Sequence, residues 1–476
     1  MQPREFTDLD DLRLVWRGNR ILSELFRNSV SSVRQLCLDE ASAKGCYRFL
    51  HNERVSEDDI ILNLVANCRA ASMGKNVVCL QDTTQINLMS HKGRLHKDDY
   101  IGPTNKKAGG PGRDGQGLGF LLHPCLVVDA TEGIPYGYAD VKLWSRPHQV
   151  QTKVERKYWQ MPIKEKESYR WIEVSANTKE ALGDTVGTMI IVQDREGDIY
   201  EQFATIPDQK TDLLVRARAN RKLAGGEMLF DCLSSQPVAG TYELIVDATR
   251  GKARSRTVQI AIRYRRVQIP RPRGCKDVAP CTELCFIEAR QIREQGKEDK
   301  DKGSEGICWR LLTSIGVESV EIARMCIEWY SWRWMMEEVF KVLKKEGYNI
   351  EGSELEYGSS VRKLTLMTLE VIIKLFLMRF AYSEPELELD AGSCFSLPEQ
   401  EYLEHQIKAL EGRTQRSKNP YGAKDLKRYV WAIARMGGWK GYESKRRPGI
   451  TTLWLGLKAF NAAYQGWELH RNVSTR

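Results

Sequence analysis

The sequence predicts an α/β protein whose sheet-forming middle is flanked by helical segments at both ends. Three observations carry that expectation. Apolar residues recur near helical spacing over 8–70 and again beyond 318. Short apolar, β-rich runs fill 76–200, and alternating runs follow from 211 to 315. With 476 residues, 42% of them hydrophobic and 28% charged, the chain has ample material for a large core and more than one domain.

The first element is helical. "LDDLRLVWRGNRILSELFRNSV" sets Leu12, Val15, Ile21, Leu22 and Leu25 near helical spacing, with arginines between. Ser56, three residues before Asp59 and ahead of an apolar run, has the pattern of an N-cap. A helical domain over 1–70 so rich in arginine suits contact with DNA; a plain packing domain would read the same way.

At 76 the texture changes. "NVVCLQD" is a short buried-strand run ending in Asp82, and "GTMIIVQDREGDIYEQF" is another ending in Asp194. Between them "GFLLHPCLVVDA" and "IPYGYADVKLW" are further strands. An aspartate at a strand end often does no more than cap the next helix, and "DRE" after Asp194 fits that use too. From 211 the strands run on: "DLLVRARA", "TYELIVDA", "RTVQIAIRYRRVQI", "ELCFIEARQI" and "ICWRLLTSI". They suggest a β-rich insertion at about 215–310 within a core spanning 71–375, with the charged stretch 293–306 as a solvated loop. Helices return over 318–346, and "SVRKLTLMTLEVIIKLFLMRFAY" is apolar nearly all round and should be buried. The acidic stretch 383–400 reads as a linker, and 376–476 as a helical, basic, tryptophan-containing C-terminal region.

Composition narrows the function classes. No apolar run approaches about 18 residues, so no membrane span is expected. "MQPREFTDLDD" has no apolar signal-peptide core, so a cytoplasmic location is expected. The 12 cysteines lie mostly in apolar runs, where a thiol behaves as a small hydrophobe. Cys275, Cys281 and Cys285 cluster, but no second pair follows to complete a zinc site. The net charge of +9, with basic residues gathered at 92–113, in "RTQRSKNPYGAKDLKR" and in "ESKRRPG", hints at a polyanionic partner. A solvated face explains such runs equally well.

The stretch 330–345, "YSWRWMMEEVFKVLKK", reads as one helix. Wound at about 100° per residue, it gathers Tyr330, Arg333, Trp334, Glu337, Glu338, Lys341, Lys344 and Lys345 within an arc of about 140°. Trp329, Trp332, Met336, Val339, Phe340 and Leu343 fall opposite, as a core face. Ordinary i,i+4 pairs such as Glu337 with Lys341 account for the charges. They do not account for Tyr330 and Trp334 on the polar side. Two strand-end aspartates plus one helix-borne glutamate also have a chemical use. Hard divalent cations take carboxylate oxygens, and two such ions about 4 Å apart can clamp an in-line phosphoryl transfer. Arginine, lysine and tyrosine beside the acid would grip phosphates.

Tyr330, Arg333, Glu337 and Lys344 match the Y-(2)-R-(3)-E-(6)-K signature of a group of bacterial cut-and-paste transposases, and the chain resembles the insertion-sequence-four family. "QDTT" around Asp82, "DREGDIY" around Asp194, "YRFLHNERVS" at 47–56 and "WAIARMGGW" with "SKRRPGI" at 431–450 extend the resemblance over most of the chain. It implies a ribonuclease-H-like core with the acidic triad Asp82, Asp194 and Glu337 as catalytic metal ligands, binding two Mg2+ or Mn2+ ions, and it favours Glu337 over Glu338. It implies that Trp309 and Trp334 lie at a flipped base when the DNA end forms a hairpin, consistent with the aromatic pocket such a base needs. It implies DNA contacts for Tyr330, Arg333, Lys344 and Arg216. Core packing for Trp309 and a solvated strand face for Arg216 are the plainer readings.

The expected function is therefore a DNA transposase. It would act on double-stranded DNA, as a homodimer on paired transposon ends, nucleoid-associated when bound, with a C-terminal dimerisation region. A catalytically silent DNA-binding regulator and a nuclease without strand transfer are the rivals. The family opening is only partly kept: "REFTDLDDLRLVWRGNR" retains Asp11, Arg13 and Arg17 but lacks the upstream helix.

Overall fold

The computed structural model describes residues 5–474 apart from 8, 29, 31, 38, 97–99, 105–116, 148–159, 247–255, 276, 293–305, 345–346, 384–387 and 442–446. Residues 293–305 of the expected solvated loop at 293–306, part of the basic segment 92–113 and part of "ESKRRPG" thus lie outside the described residues. The chain divides into two compact units. One comprises Met1–Met73, Thr83–Val150 and Met336–Arg476, and the other Gly74–Asp82 and Gln151–Met335.

In chain order, α1 (Leu12–Asn28), α2 (Val33–Leu36), α3 (Glu40–His51) and α4 (Glu57–Ser72) precede β1 (Val77–Gln81). Strands β2 (Thr84–Asn87), β3 (Gly102–Pro103), β4 (Leu118–Asp129) and β5 (Pro135–Trp144) follow. Next come α5 (Arg170–Leu182), β6 (Met189–Gln193), α6 (Tyr200–Thr205) and β7 (Thr211–Arg216). Then come β8 (Gly240–Val246), β9 (Arg256–Pro270), β10 (Cys281–Gln291) and β11 (Cys308–Thr313). The chain ends with α7 (Val320–Ser331), α8 (Trp334–Lys344), α9 (Gly358–Ser383), α10 (Leu397–Leu410), α11 (Leu426–Met436) and α12 (Ile450–Ser474). The protein is a mixed α/β structure.

The first unit is organised by α9. Its apolar residues, among them Leu364, Met367, Ile372, Leu375 and Met378, are fully buried, as the all-round apolar pattern predicts. It packs against α1, α3, α4, α11, α12 and β5. Two buried cations at its start are matched from the α3–α4 corner. Arg362 pairs with Glu57 at 2.7 Å, and Lys363 donates to the Asn52 carbonyl at 2.8 Å. Burial lowers the pKa of Lys363, and burial likewise raises that of Glu57. Helix α4 starts with a complete capping box: Ser56 Oγ accepts from the Asp59 N–H at 3.0 Å, and Asp59 accepts from the Ser56 N–H at 2.7 Å. Within this unit β4 pairs antiparallel with β2, β3 and β5.

The second unit carries strands in the order β1-β6-β7-β11-β10-β9-β8. The pairs β1–β6 and β6–β7 are parallel, and those from β7–β11 to β8–β9 are antiparallel. Strands β8–β11 therefore extend the side of the parallel strands with a long antiparallel ribbon.

Three expectations are corrected. The segment 318–346 is not one helix, because α7 ends at Ser331 and α8 starts at Trp334. The intervening turn is tightened by Arg333 N–H donating to the Tyr330 carbonyl at 3.2 Å and Met335 N–H to the Trp332 carbonyl at 2.8 Å. A single wheel over 330–345 thus fails, and Tyr330, assigned to the polar side, is buried. The stretch 383–400 is more than a linker: Ala391, Cys394 and Phe395 are buried, and Ser396 with Glu399 forms the capping box that opens α10. Leu12 does not join the core face of α1, being 84% exposed, whereas Ile21, Leu22 and Leu25 are buried.

Candidate functional site

All five residues of β1 and all five of β6 are buried, so the first partly open side chains come just past their carboxyl ends. The register pairs Val77 with Met189 and Leu80 with Val192. Carried two residues on, it sets Asp82 level with Asp194. Two carboxylates therefore stand at neighbouring strand ends because the two apolar runs stop at the same height.

Each carboxylate has a specific neighbour. Arg333 Nη1 donates to Asp82 Oδ2 at 2.5 Å, with both side chains largely buried. The Tyr330 hydroxyl donates to Asp194 Oδ1 at 3.3 Å. Asp194 makes no side-chain cap to the turn that follows it; the Gly197 N–H closes that turn on the Asp194 carbonyl at 2.9 Å. The side chain is thus turned to Tyr330 rather than spent on capping.

The break between α7 and α8 supplies both neighbours: Tyr330 sits in the last turn of α7 and Arg333 in the two-residue turn beyond it. Burial raises the pKa of Tyr330, the Asp194 charge adds to the rise, and Arg216 and Arg333 oppose it. The phenol stays protonated, hence a donor, at neutral pH. For Arg333, burial works against the charge, and Asp82, Tyr330 and Asp194 together more than offset it, so its pKa is raised.

Two further predicted residues meet Tyr330. Arg216, the last residue of β7, lies opposite Leu311, and its charge acts against the rise in the Tyr330 pKa. Trp309 lies on β11 opposite Ala289, half-buried, its ring edge-on to Tyr330 with centroids 6.4 Å apart. Trp334 starts α8 and is 62% exposed.

Glu337, Glu338 and Lys344 belong to the first unit. Glu337 is half-buried on the first turn of α8. Lys344 lies 3.8 Å from Glu351, whose carboxylate also accepts the Asn87 N–H at 2.9 Å. Glu338 is ion-paired to Arg379 of α9. The structure thus brings Asp82, Asp194, Tyr330, Arg333, Arg216 and Trp309 together in one unit and places Glu337 and Lys344 in the other. Among the described residues, no group of three or more His, Cys, Asp or Glu side chains is gathered so as to hold a metal ion.

A polar layer beneath the aspartates was not anticipated from the sequence. Gln81 and Gln193, the residues before the two aspartates, are fully buried and bonded to each other, Gln193 Nε2 donating to Gln81 Oε1 at 2.8 Å. The signal was present in "LQD" and "VQD", the same dipeptide closing both strands.

Residues 4–55 match the family model described as transposase DNA-binding. That segment covers α1 to α3. Among solved structures, the chain is similar to a piggyBac transposase synaptic complex with hairpin DNA, at 8% identity and a TM-score of 0.38, over 79% of this chain and 67% of that one. A likeness of that degree carries no argument about mechanism. Among the described residues no helix is long and apolar enough to cross a membrane.

Proposed function

We propose that this protein is a DNA transposase of the acidic-triad class, built on a ribonuclease-H-like core. The observation that carries the reading is the level pair Asp82 and Asp194 at the ends of adjacent parallel strands, each engaged by a residue of the Tyr330–Arg333 signature. The match of residues 4–55 to a transposase DNA-binding model supports it from the other end of the chain.

In this reading Asp82, Asp194 and Glu337 would hold two Mg2+ or Mn2+ ions. What the structure offers toward such ions is the level pair Asp82 and Asp194, since carboxylates are hard oxygen ligands that leave positions open for water and phosphate. When bound, such ions activate the attacking oxygen and stabilise the leaving one in an in-line displacement. The chain's own residues supply the rest. Arg333 and Lys344 offer guanidinium and ammonium to backbone phosphates, each released from the carboxylate it now faces. Tyr330 keeps its proton and orients Asp194. Arg216 adds a further cation at the end of β7. Trp309 and the exposed Trp334 offer aromatic faces to an unstacked base. The reaction sequence is cleavage at the transposon end, a hairpin on that end, its opening, and joining of the 3′-hydroxyl to target DNA. It is carried out by a homodimer on two ends.

The test is incubation with DNA carrying the inverted repeats that flank the coding frame, with and without Mg2+. Nicks, hairpins and joined products are expected. Asp82→Ala should bind the ends as wild type does and cut nothing; cleavage by that variant would sink the triad. Binding without nicking by the wild type would mean a silent regulator, and nicks without joined product a nuclease.

A further inference from the structure

Below the two aspartates lies a buried amide cluster with no part in the reaction outlined above. Gln81, Ser175, Gln193 and Gln202 are each 0% exposed. Gln193 Nε2 donates to Gln81 Oε1 at 2.8 Å and to Ser175 Oγ at 3.0 Å, and Gln81 Nε2 donates to the same hydroxyl at 3.2 Å. Ser175 in turn donates to the Trp171 carbonyl at 2.7 Å. On the far side Gln202 Nε2 donates to Gln193 Oε1 and, at 3.2 Å, to the Gly197 carbonyl. The cluster thus ties β1 to β6, and both to α5, α6 and the turn after Asp194. Gly197 is part of the fit: a Cβ there would fall 2.1 Å from Gln193 Oε1.

Successive strand residues face opposite sides. Whatever fixes Gln81 and Gln193 on one side fixes the aspartates that follow them on the other. Apolar side chains would fill this space without polar groups to satisfy; burying amides is costly unless every one is bonded. Apolar packing tolerates a small slide between strands, whereas a directional amide bond between strand ends does not.

We infer that Gln81, Gln193, Ser175 and Gln202 form a register lock that holds Asp82 and Asp194 level, and so are positioning residues for the reaction. This rests on the transposase reading. The lock predicts that the placing of the aspartates depends on the amides of the residues before them.

The experiment uses the full chain with Gln81 and Gln193 both changed to Met, a similar length without the amide. Ser175 keeps the Trp171 carbonyl and Gln202 keeps the Gly197 carbonyl, so few groups are orphaned. Three quantities are read: amide hydrogen exchange over 79–83 and 191–195, Mn2+ affinity by electron paramagnetic resonance without DNA, and single-turnover nicking. Exchange at both strand ends should quicken about tenfold while α9 stays unchanged. Mn2+ half-saturation should rise about tenfold, and nicking should slow at least as much with end-DNA affinity unaltered. Wild-type exchange at both strand ends would overturn the lock whatever the activity. Faster exchange with wild-type Mn2+ affinity would show the amides to be structural only and overturn the positioning role. If the double variant does not fold, Ser175→Ala, which removes one bridging hydroxyl, is put through the same three measurements, and the same results support or overturn the lock. Failure of the transposase reading shows separately, as nicking that survives Asp82→Ala or is missing from the wild type; the exchange measurement decides the lock in either case.

Discussion

Replacing Arg333 with Met should make the protein less stable and, at the same time, a better cation binder. The Arg333–Asp82 contact is 2.5 Å long with side chains only 12% and 20% exposed, so solvent screens it little. A charge-assisted hydrogen bond of that kind contributes about 1.5–3 kcal/mol. Arg333→Met keeps the apolar stem and removes the bond, so unfolding free energy should fall by about 2 kcal/mol in metal-free buffer. That bond also competes with any cation for Asp82 Oδ2. Releasing it should tighten Mn2+ binding by about tenfold to a hundredfold, at about 1.4 kcal/mol per tenfold. Phosphate grip is lost together with the guanidinium, so nicking should fall even as the ion binds better. Denaturant melts and an electron paramagnetic resonance titration of DNA-free protein read the two effects. Unchanged or weaker Mn2+ binding in the variant would refute the competition, and with it the claim that Asp82 offers its oxygen to a metal.

Glu337→Ala should abolish end cleavage, whereas Glu338→Ala loses only the part-exposed pair with Arg379 and should cost under about 1 kcal/mol while leaving cleavage intact; paired nicking assays and melts decide. Trp334, being 62% exposed, should be replaceable by Ala within about 0.5 kcal/mol, yet the variant should stall at hairpin formation, seen on denaturing gels. Ser56→Ala removes one half of the capping box on α4 and should cost about 1 kcal/mol by urea denaturation. Glu404 accepts two bonds from Arg428, at 2.6 and 2.7 Å, and these hold its pKa below the ordinary 4.5 against the opposing effect of burial. A depressed folded pKa contributes stability above the unfolded value that is lost as pH falls through the folded one. Arg428→Met should therefore destabilise the protein near neutrality and flatten its stability loss below about pH 4.5, in urea midpoints between about pH 3 and 6.

Strands were the most legible part of the sequence, because runs such as "VVCL" and "MIIV" are apolar on both faces and each is followed by Gln-Asp. The capping box at Ser56 and the burial of α9 were legible for the same local reason. The break at 332–333 was not. The apolar spacing of Trp329, Met336, Val339 and Leu343 continues across it, and a helical wheel registers spacing rather than a missing turn. Tyr330 was misplaced because a wheel counts its hydroxyl as polar, whereas the ring is buried and only the hydroxyl reaches Asp194. The glutamines behind the aspartates were hidden by their type: a polar residue at the end of an apolar run reads as the strand stopping, and only its repetition in both strands hints otherwise. That Glu337 and Lys344 fall in a different unit from Asp82 and Asp194 is a long-range matter that no local pattern records.

The match to a transposase DNA-binding model ends at residue 55, but the protein does not come apart there. Leu50 and Asn52 offer their carbonyls to Ser360 and Lys363 of α9, and Glu57, just past that limit, neutralises Arg362. A fragment cut at that border would leave one cation of α9, Lys363, and one hydroxyl, Ser360, stripped of these partners in a buried place, while Arg362 would keep Glu57. The matched segment is tied to α9 rather than set apart from it. Exchanging it for the equivalent segment of another protein would mean re-matching the start of α9 as well.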